Sequence, residues 1–235
     1  MYRLQKLLSM IGLYSRRSAE RLIVDGRITL NGKIANLGDK WEPGDTLRVD
    51  NKELNVDISA IESNFDIIKY YKPVGEIVST KDKYNDNNVF KYLPHVEGKW
   101  ISIGRLDVQT SGLILFTNNG DLANELMHPS KGLEREYIVT TNKLIDDNNQ
   151  KKLLKGVLID ENQMGKFKKI TKISKNKYCV VLVTGKNREV RKSLKALDIK
   201  TLQLHRCRYG TCKLGNMKPK DVRFLSKKDI LNLSV

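Results

Sequence analysis

The stretch from Trp100 to Tyr137 constrains the fold of this chain most. Two apolar strand-like runs, Ile101–Ile103 and Leu113–Thr117, bracket a polar segment that reads Gly104-Arg105-Leu106-Asp107-Val108-Gln109-Thr110-Ser111-Gly112. Short apolar runs bounded by glycine read as strands joined by a tight connection. Glycine at both ends permits sharp turns, or the close approach of another molecule to the backbone. Arg105 and Asp107 lie two residues apart, which in an extended segment turns both to the same side. Two readings stand open at this point. One is a strand-connecting turn with a local ion pair of little energetic weight. The other is a carboxylate held between buried strands for a chemical purpose.

The chain before this stretch divides in two. Leu4, Leu7, Leu8 and Ile11 recur at helical spacing over Arg3–Ile11. Ser15 is placed to cap a second helix through Leu22, Ile23 and Val24, which Gly26 stops. Arg27–Leu30, Asn31-Gly32 and Lys33–Ala35 carry a hairpin pattern with a type I′ turn. Arg16, Arg17 and Arg21 cluster on the second helix and Arg27 opens the hairpin, which suggests a phosphate-binding face. Glu53–Ser63 is polar and poor in aromatics. The expected division is therefore a small domain over 1–55, a linker over 56–63 and a larger domain over 64–235.

In the larger part, strands are expected at Asp66–Tyr71, Glu134–Thr141, Lys166–Ile173, Tyr178–Thr184, Thr201–Tyr209 and Val222–Leu225. Helices are expected at Asp121–Met127, from Asp146 to near Gly156, over Arg188–Leu197, and after Ser226. Lys72-Pro73-Val74-Gly75 is a turn and Asp82–Asn88 a loop. Many strands and few helices predict an α+β domain on a mixed, largely antiparallel sheet.

Charge narrows the class of partner. The net charge is +16, and residues 163–228 hold 20 Lys and Arg against 3 Asp and Glu, so this region carries essentially all of it. Its charges interleave with apolar residues, as in KFKKITKI and HRCRYGTCKL, which predicts a folded basic face and not a disordered tail. A polyanion is the expected partner, and nucleic acid is favoured over a membrane because no amphipathic anchor or lipidation motif occurs. No apolar run approaches the ~20 residues of a membrane helix. Three cysteines cannot pair completely, which fits a reducing cytoplasm.

At this point several motifs converge on one family. GRLDVQTSGLILFTNNGDLANELMHP closely resembles the signature of the RsuA/RluB-type pseudouridine synthases, which modify ribosomal RNA. Residues 3–50, above all SRRSAERLIVDGRITLNGK, resemble the RNA-binding domain first recognised in ribosomal small-subunit protein four. Tyr71-Lys72-Pro73-Val74-Gly75 is similar to the family's KPxG turn, Glu134–Val139 to its aromatic-bearing strand, and Gly185–Lys192 to its arginine-containing helix start. Leu204–Leu225 resembles its closing strands. Departures are small: Arg135 replaces the usual Lys, Pro219-Lys220 the usual Pro-Gly, and Asn119 a commoner Asp.

The resemblance implies conversion of a uridine to pseudouridine, in which the bond from ribose to the uracil nitrogen breaks, the base turns, and it rejoins through carbon. That isomerisation needs neither redox change nor energy input, so no cofactor is expected. It implies Asp107 as the catalytic carboxylate, Arg191 as its cation and Tyr137 as the aromatic that stacks on a flipped base. Arg105, Leu204 and Lys72 are the implied substrate contacts: an aid to base extrusion, a pocket wall and the pocket edge or fold. The implied partner is ribosomal RNA or an assembly intermediate, and a monomer is the default.

Other chemistries fit less well. His205, Cys207 and Cys212 lack the paired spacing of a zinc site, so no metal is expected. His128-Pro129 reads as structural and Asp146-Asp147 as helix capping. The alternative from another class is a non-catalytic RNA-binding or ribosome-assembly protein on the same fold. The complete set Asp107, Tyr137 and Arg191 weighs against it.

Overall fold

In a computed structural model of the protein, residues 1–57, 65–79 and 87–234 are described. The expected linker at 56–63 and the Asp82–Asn88 loop lie largely outside them. Contacts divide the chain into two compact units. One comprises Met1–Asp66 with His95–Ile101 and Asn118–Gly120, and the other Ile67–Pro94, Ser102–Thr117 and Asp121–Val235. The first unit thus draws in two short segments from far along the chain, which periodicity gives no means of seeing.

The first unit contains β1 (Tyr2–Arg3), α1 (Leu4–Met10), α2 (Arg16–Val24), β2 (Ile28–Leu30), β3 (Lys33–Ile34), β4 (Lys40–Trp41), β5 (Leu47–Val49) and β6 (Lys52–Glu53). Leu4, Leu7 and Leu8 of α1 meet Ala19, Leu22 and Ile23 of α2 over Ile28, Trp41, Leu47 and Val49, all buried. Ser15 caps α2 by accepting from the Ser18 amide at 3.1 Å. The β2–β3 turn takes positive φ at Asn31 (52°) and Gly32 (79°), as a type I′ turn requires.

The chain continues with β7 (Ile67–Lys72), β8 (Ile101–Ile103), β9 (Ser111–Thr117), α3 (Gly120–Met127), β10 (Arg135–Thr141), α4 (Asp147–Lys155), β11 (Val157–Asp160) and β12 (Gln163–Gly165), which apart from Ile101 and Gly120 belong to the second unit. It closes with β13 (Lys169–Ser174), β14 (Lys177–Leu182), α5 (Glu189–Lys195), β15 (Thr201–Tyr209), β16 (Cys212–Lys213), β17 (Val222–Phe224) and α6 (Lys227–Ser234). A nine-stranded sheet runs in the order β13-β14-β10-β15-β9-β7-β17, with β8 beside β9 and β16 beside β15. Pairings along this path are antiparallel except β9 with β15, which is parallel. The sheet is thus mixed and largely antiparallel. β9 is buried along nearly its whole length, as its unbroken apolar run demands of a strand covered on both faces. Against one side of the sheet, α4 and α5 contribute Leu153, Val190 and Leu194 to a core with Val139, Tyr178, Val180 and Leu204.

Four features depart from the pattern-based expectation. The hairpin β11–β12 has no counterpart there, and β13 starts at Lys169 because the preceding Phe167 is buried in the core. α5 begins at Glu189, with Arg188 outside it in a left-handed conformation (φ 52°). On β15, pairing with β10 shifts by one residue: Glu136 faces Arg208 but Tyr137 faces Arg206, leaving Cys207 as an extra residue. This bulge sends Arg206 and Arg208 to opposite faces of the sheet, where strict alternation would place them together.

Candidate active site

The polar segment between β8 and β9 extends neither strand. Gly104 turns with φ of 76°, Leu106 and Thr110 are buried, and Arg105 is exposed. The Thr110 amide donates to the Asp107 carbonyl at 2.9 Å and closes the loop. Three consecutive carbonyls are held from outside. Val108 O accepts from the Gly75 amide at 2.8 Å, Gln109 O from Arg191 Nη2 at 2.8 Å, and Thr110 O from Lys72 Nζ at 2.8 Å. Lys72 Nζ also donates to Pro73 O at 2.9 Å. Every partner is a main-chain group or a cation, so the loop is fixed by its backbone and the side chain of Asp107 is left free to point outward.

That side chain enters a cleft of about 400 Å³ lined by Arg105, Asp107, Tyr137, Arg188, Leu204 and Arg206, among others. A second chamber of about 830 Å³ shares Arg105, Asp107 and Arg188 with it and adds Arg191. Asp107 Oδ2 lies 3.9 Å from Arg191 Nε and 3.8 Å from Arg188 Nε. Both are ion-pair distances, longer than a hydrogen bond. The pairing imagined between Arg105 and Asp107 is replaced by these two arginines, because the segment is a turn and not an extended strand. The carboxylate is also less enclosed than two flanking strands would make it, with 36% of its side chain exposed.

The two arginines are not equivalent. Arg191 is 14% exposed, anchored on Gln109 O, and its Nε is buried without a hydrogen-bond partner. Burial lowers its pKa, which attraction to Asp107 opposes. Arg188 is 57% exposed. Between them Glu189, itself buried, accepts from Thr184 Oγ1 at 2.6 Å and from the Lys186 amide at 3.1 Å, locking the start of α5 to the end of β14.

Tyr137 and Leu204 both line the cleft, brought there by the β10–β15 pairing. Arg105 lines its rim. Lys72 does not line either chamber: it is fully buried beneath the loop, so of the two roles expected for it, pocket edge or fold, it takes the second, as a support of the Asp107 loop. Burial pulls its pKa down to about 8, against the attraction of Glu76 and Asp107. Glu76, equally buried, has its pKa raised by burial although it accepts from Tyr70 Oη at 2.8 Å. Arg188, Arg206, Glu189 and Thr110 were not singled out from sequence. Arg188 and Glu189 lie in GKNREVRK, Thr110 in GRLDVQTSG and Arg206 in HRCRYGTCKL, but place in a motif did not set them apart from their neighbours.

In the first unit, Arg16, Arg17 and Arg21 stand exposed on α2. Arg27 does not join them freely, since its guanidinium grips Asp50 through two bonds of 2.7 and 2.6 Å. His205 Nδ1 lies 3.0 Å from Ser111 Oγ, and Cys207 donates to Glu136 Oε1 at 3.3 Å. Burial pushes the Cys207 thiol up to about 12. Among the described residues, no group of three or more His, Cys, Asp or Glu is arranged to hold a metal ion. Nor is any helix long and apolar enough to cross a membrane.

A family described as RNA pseudouridylate synthase matches residues 66–201, and the S4 domain matches residues 3–47. The ribosomal large subunit pseudouridine synthase B of Shigella flexneri is 42% identical over 226 residues, spanning 93% of this chain and 77% of that protein. The protein of the same name from Escherichia coli K12 gives the same figures. The one from Haemophilus influenzae is 40% identical over 225 residues, covering 93% of this chain and 62% of its own length. A solved pseudouridylate synthase superposes with a TM-score of 0.69 at 24% identity, over 99% of this chain and 100% of that one, a likeness of fold.

Proposed function

Because this chain belongs to the RNA pseudouridylate synthase family, we propose that it isomerises a specific uridine of large-subunit ribosomal RNA, with Asp107 as the active-site carboxylate. The observation that carries this reading is the composition of the cleft. One carboxylate on a backbone-clamped loop faces an aromatic, an aliphatic wall and two arginines. A glycosidase would need a second acid or base to direct water. The other carboxylate lining the cleft, Glu189, is committed to Thr184 and main-chain amides.

In this mechanism the target uridine leaves its stack, at a cost of a few kcal/mol, and enters the cleft with its base against Tyr137 and Leu204. Arg191, anchored on Gln109 O, holds the Asp107 carboxylate in place through its guanidinium 3.9 Å from Oδ2. Asp107 then acts on the sugar or base, the bond from C1′ to N1 breaks, the base turns, and C1′ joins C5. The proton on C5 is lost as N1 gains one, so the reaction is an isomerisation. Arg105, exposed at the rim, helps hold the extruded nucleotide.

Residues 1–55, as an RNA-binding domain, and the basic face of residues 64–235 grip the surrounding RNA through its phosphates. Such contacts give affinity and salt dependence but little choice of sequence, so target selection rests on RNA shape. Ribosomal RNA or an assembly intermediate in the cytoplasm is the substrate, and the protein acts as a monomer. The test is a pseudouridine map of ribosomal RNA from cells lacking the protein, complemented with wild type or Asp107→Ala. Loss of a large-subunit modification that only wild type restores is expected. An unchanged map would overturn the reading.

A further inference from the structure

Two arginines lie buried in the wall of the cleft with no carboxylate within ion-pair reach among the described residues. Arg135 donates through Nη1 to Leu133 O and Val183 O and through Nη2 to the Tyr209 hydroxyl. Its guanidinium lies 4.8 Å from the centre of the Tyr209 ring. All its contacts are therefore accounted for by the fold. Arg206 differs. It is 2% exposed, its Nε donates to Leu113 O at 2.7 Å, and its guanidinium lies 5.3 Å from the same ring, yet Nη2 is buried with no hydrogen-bond acceptor. A buried guanidinium that lacks both a counter-charge and an acceptor is an expensive arrangement.

Its place in the sheet gives the reason. β15 lies between β9, which follows the Asp107 loop, and β10, which carries Tyr137. The regular pairing with β10 that ends at the Cys207 bulge sets Arg206 directly opposite Tyr137, and the parallel pairing sets it opposite Gly112. Cross-strand neighbours of this kind have Cβ atoms about 4.5–5.5 Å apart. The unsatisfied cation thus sits in the cleft wall beside the aromatic that receives the base.

We propose that Arg206 is a base-contacting residue that donates to a uracil carbonyl oxygen and stabilises the negative charge of the base while it is detached. This rests on the proposed function above. Whether Asp107 attacks the sugar or takes its proton, the electron pair of the C1′–N1 bond leaves with uracil, and the charge spreads over N1, O2 and O4. When C5 bonds to C1′ and its proton is lost, N1 takes up a proton and the charge disappears. A fixed cation beside the ring acts on the step in which charge develops, where pre-oriented donors have most effect. Neutral uridine in the ground state gains less from it, so its contribution falls on rate and not on RNA affinity.

The test compares Arg206→Met, Arg206→Lys and wild type in single-turnover reactions on ribosomal RNA, with RNA affinity and thermal unfolding measured in parallel. Removing the charge is expected to lower the rate about 10²-fold with affinity changed less than about threefold. Lys, which keeps the charge but loses the planar fork, falls between. Target RNA carrying 5-fluorouridine supplies a readout that a merely structural role would not move. Its base leaves as a more stable anion, so loss of the original nucleotide should be slowed less by Arg206→Met than with uridine. An equal deficit on both substrates would overturn the proposal, as would an unchanged rate in a folded Arg206→Met protein. Asp107→Ala run alongside separates the two readings: activity retained there would overturn the proposed function itself.

Discussion

Lys72→Met is the perturbation that most directly probes how the Asp107 loop is held. The substitution keeps the length of the side chain and removes its charge and all of its donors. In the native protein Nζ serves Thr110 O at 2.8 Å and Pro73 O at 2.9 Å. Stranding the buried Thr110 carbonyl costs about 1–3 kcal/mol, and the half-buried Pro73 carbonyl adds less. Set against this is the relief of no longer burying an ammonium, whose pKa falls from the ordinary 10.5 to about 8, equivalent to roughly 3 kcal/mol. The two effects oppose and are of similar size, so the unfolding free energy should move by no more than about 3 kcal/mol. Activity has no such compensation. Val108 O keeps the Gly75 amide but loses its longer 3.4 Å bond from Nζ, Gln109 O keeps Arg191, and Thr110 O, at the end of the loop, loses Nζ. A shift of about 1 Å in the carboxylate is expected to cost about 10²-fold in kcat. Urea unfolding and single-turnover pseudouridine formation measure the two quantities separately. A variant of unchanged kcat would refute the idea that this lysine positions the loop.

The same lysine carries a pH signature. Below about pH 8 the folded and unfolded chains both hold its proton. Between about pH 8 and 10.5 only the unfolded chain does. Stability from this group therefore rises with pH across that window, by at most about 1.4 kcal/mol per unit. The difference between wild type and Lys72→Met should shift in favour of wild type from pH 8 to 10, and a shift the other way would contradict the burial of a charged amine.

Further outcomes follow from the geometry. Gly112→Ala should destabilise the protein by roughly 2–4 kcal/mol in denaturant titrations. At φ of 108° its Cβ would stand 2.2 Å from Arg206 O and 2.7 Å from Arg206 N, a main-chain clash that no rotamer relieves. Arg191→Gln should lower kcat by about 10²–10³-fold, and Arg188→Gln, exposed and screened, by less than about tenfold. Steady-state kinetics in the reverse order would overturn the assignment of Arg191 as the fixed cation. Replacing Arg16, Arg17 and Arg21 together by Gln should flatten the salt dependence of RNA binding by about two to three in logarithmic slope. Arg27→Gln should change it little, because Asp50 already holds that guanidinium.

Much of this protein was legible in its sequence, for reasons that are local. The caps at Ser15 and Asp146, the Asn31-Gly32 turn and the apolar run of β9 depend on neighbours within a few residues, where sterics and burial act on type and spacing alone. The apposition of Asp107, Tyr137 and Arg191 was expected only through resemblance, since Tyr137 lies 30 residues beyond Asp107 and Arg191 another 54 beyond Tyr137, separations that spacing cannot join. Tertiary structure alone decided the rest. Lys72 left the pocket edge because the carbonyls of a loop some 36 and 38 residues away close over it. Arg188 came to Asp107 because the chain turns left-handed just before α5. Arg208 turns away from the cleft to Glu136, while Arg206 lines it, because one extra residue at Cys207 reverses the alternation of β15. Periodicity fixes which side chains share a face only while the register is unbroken, and a bulge exists only in the pairing of two strands.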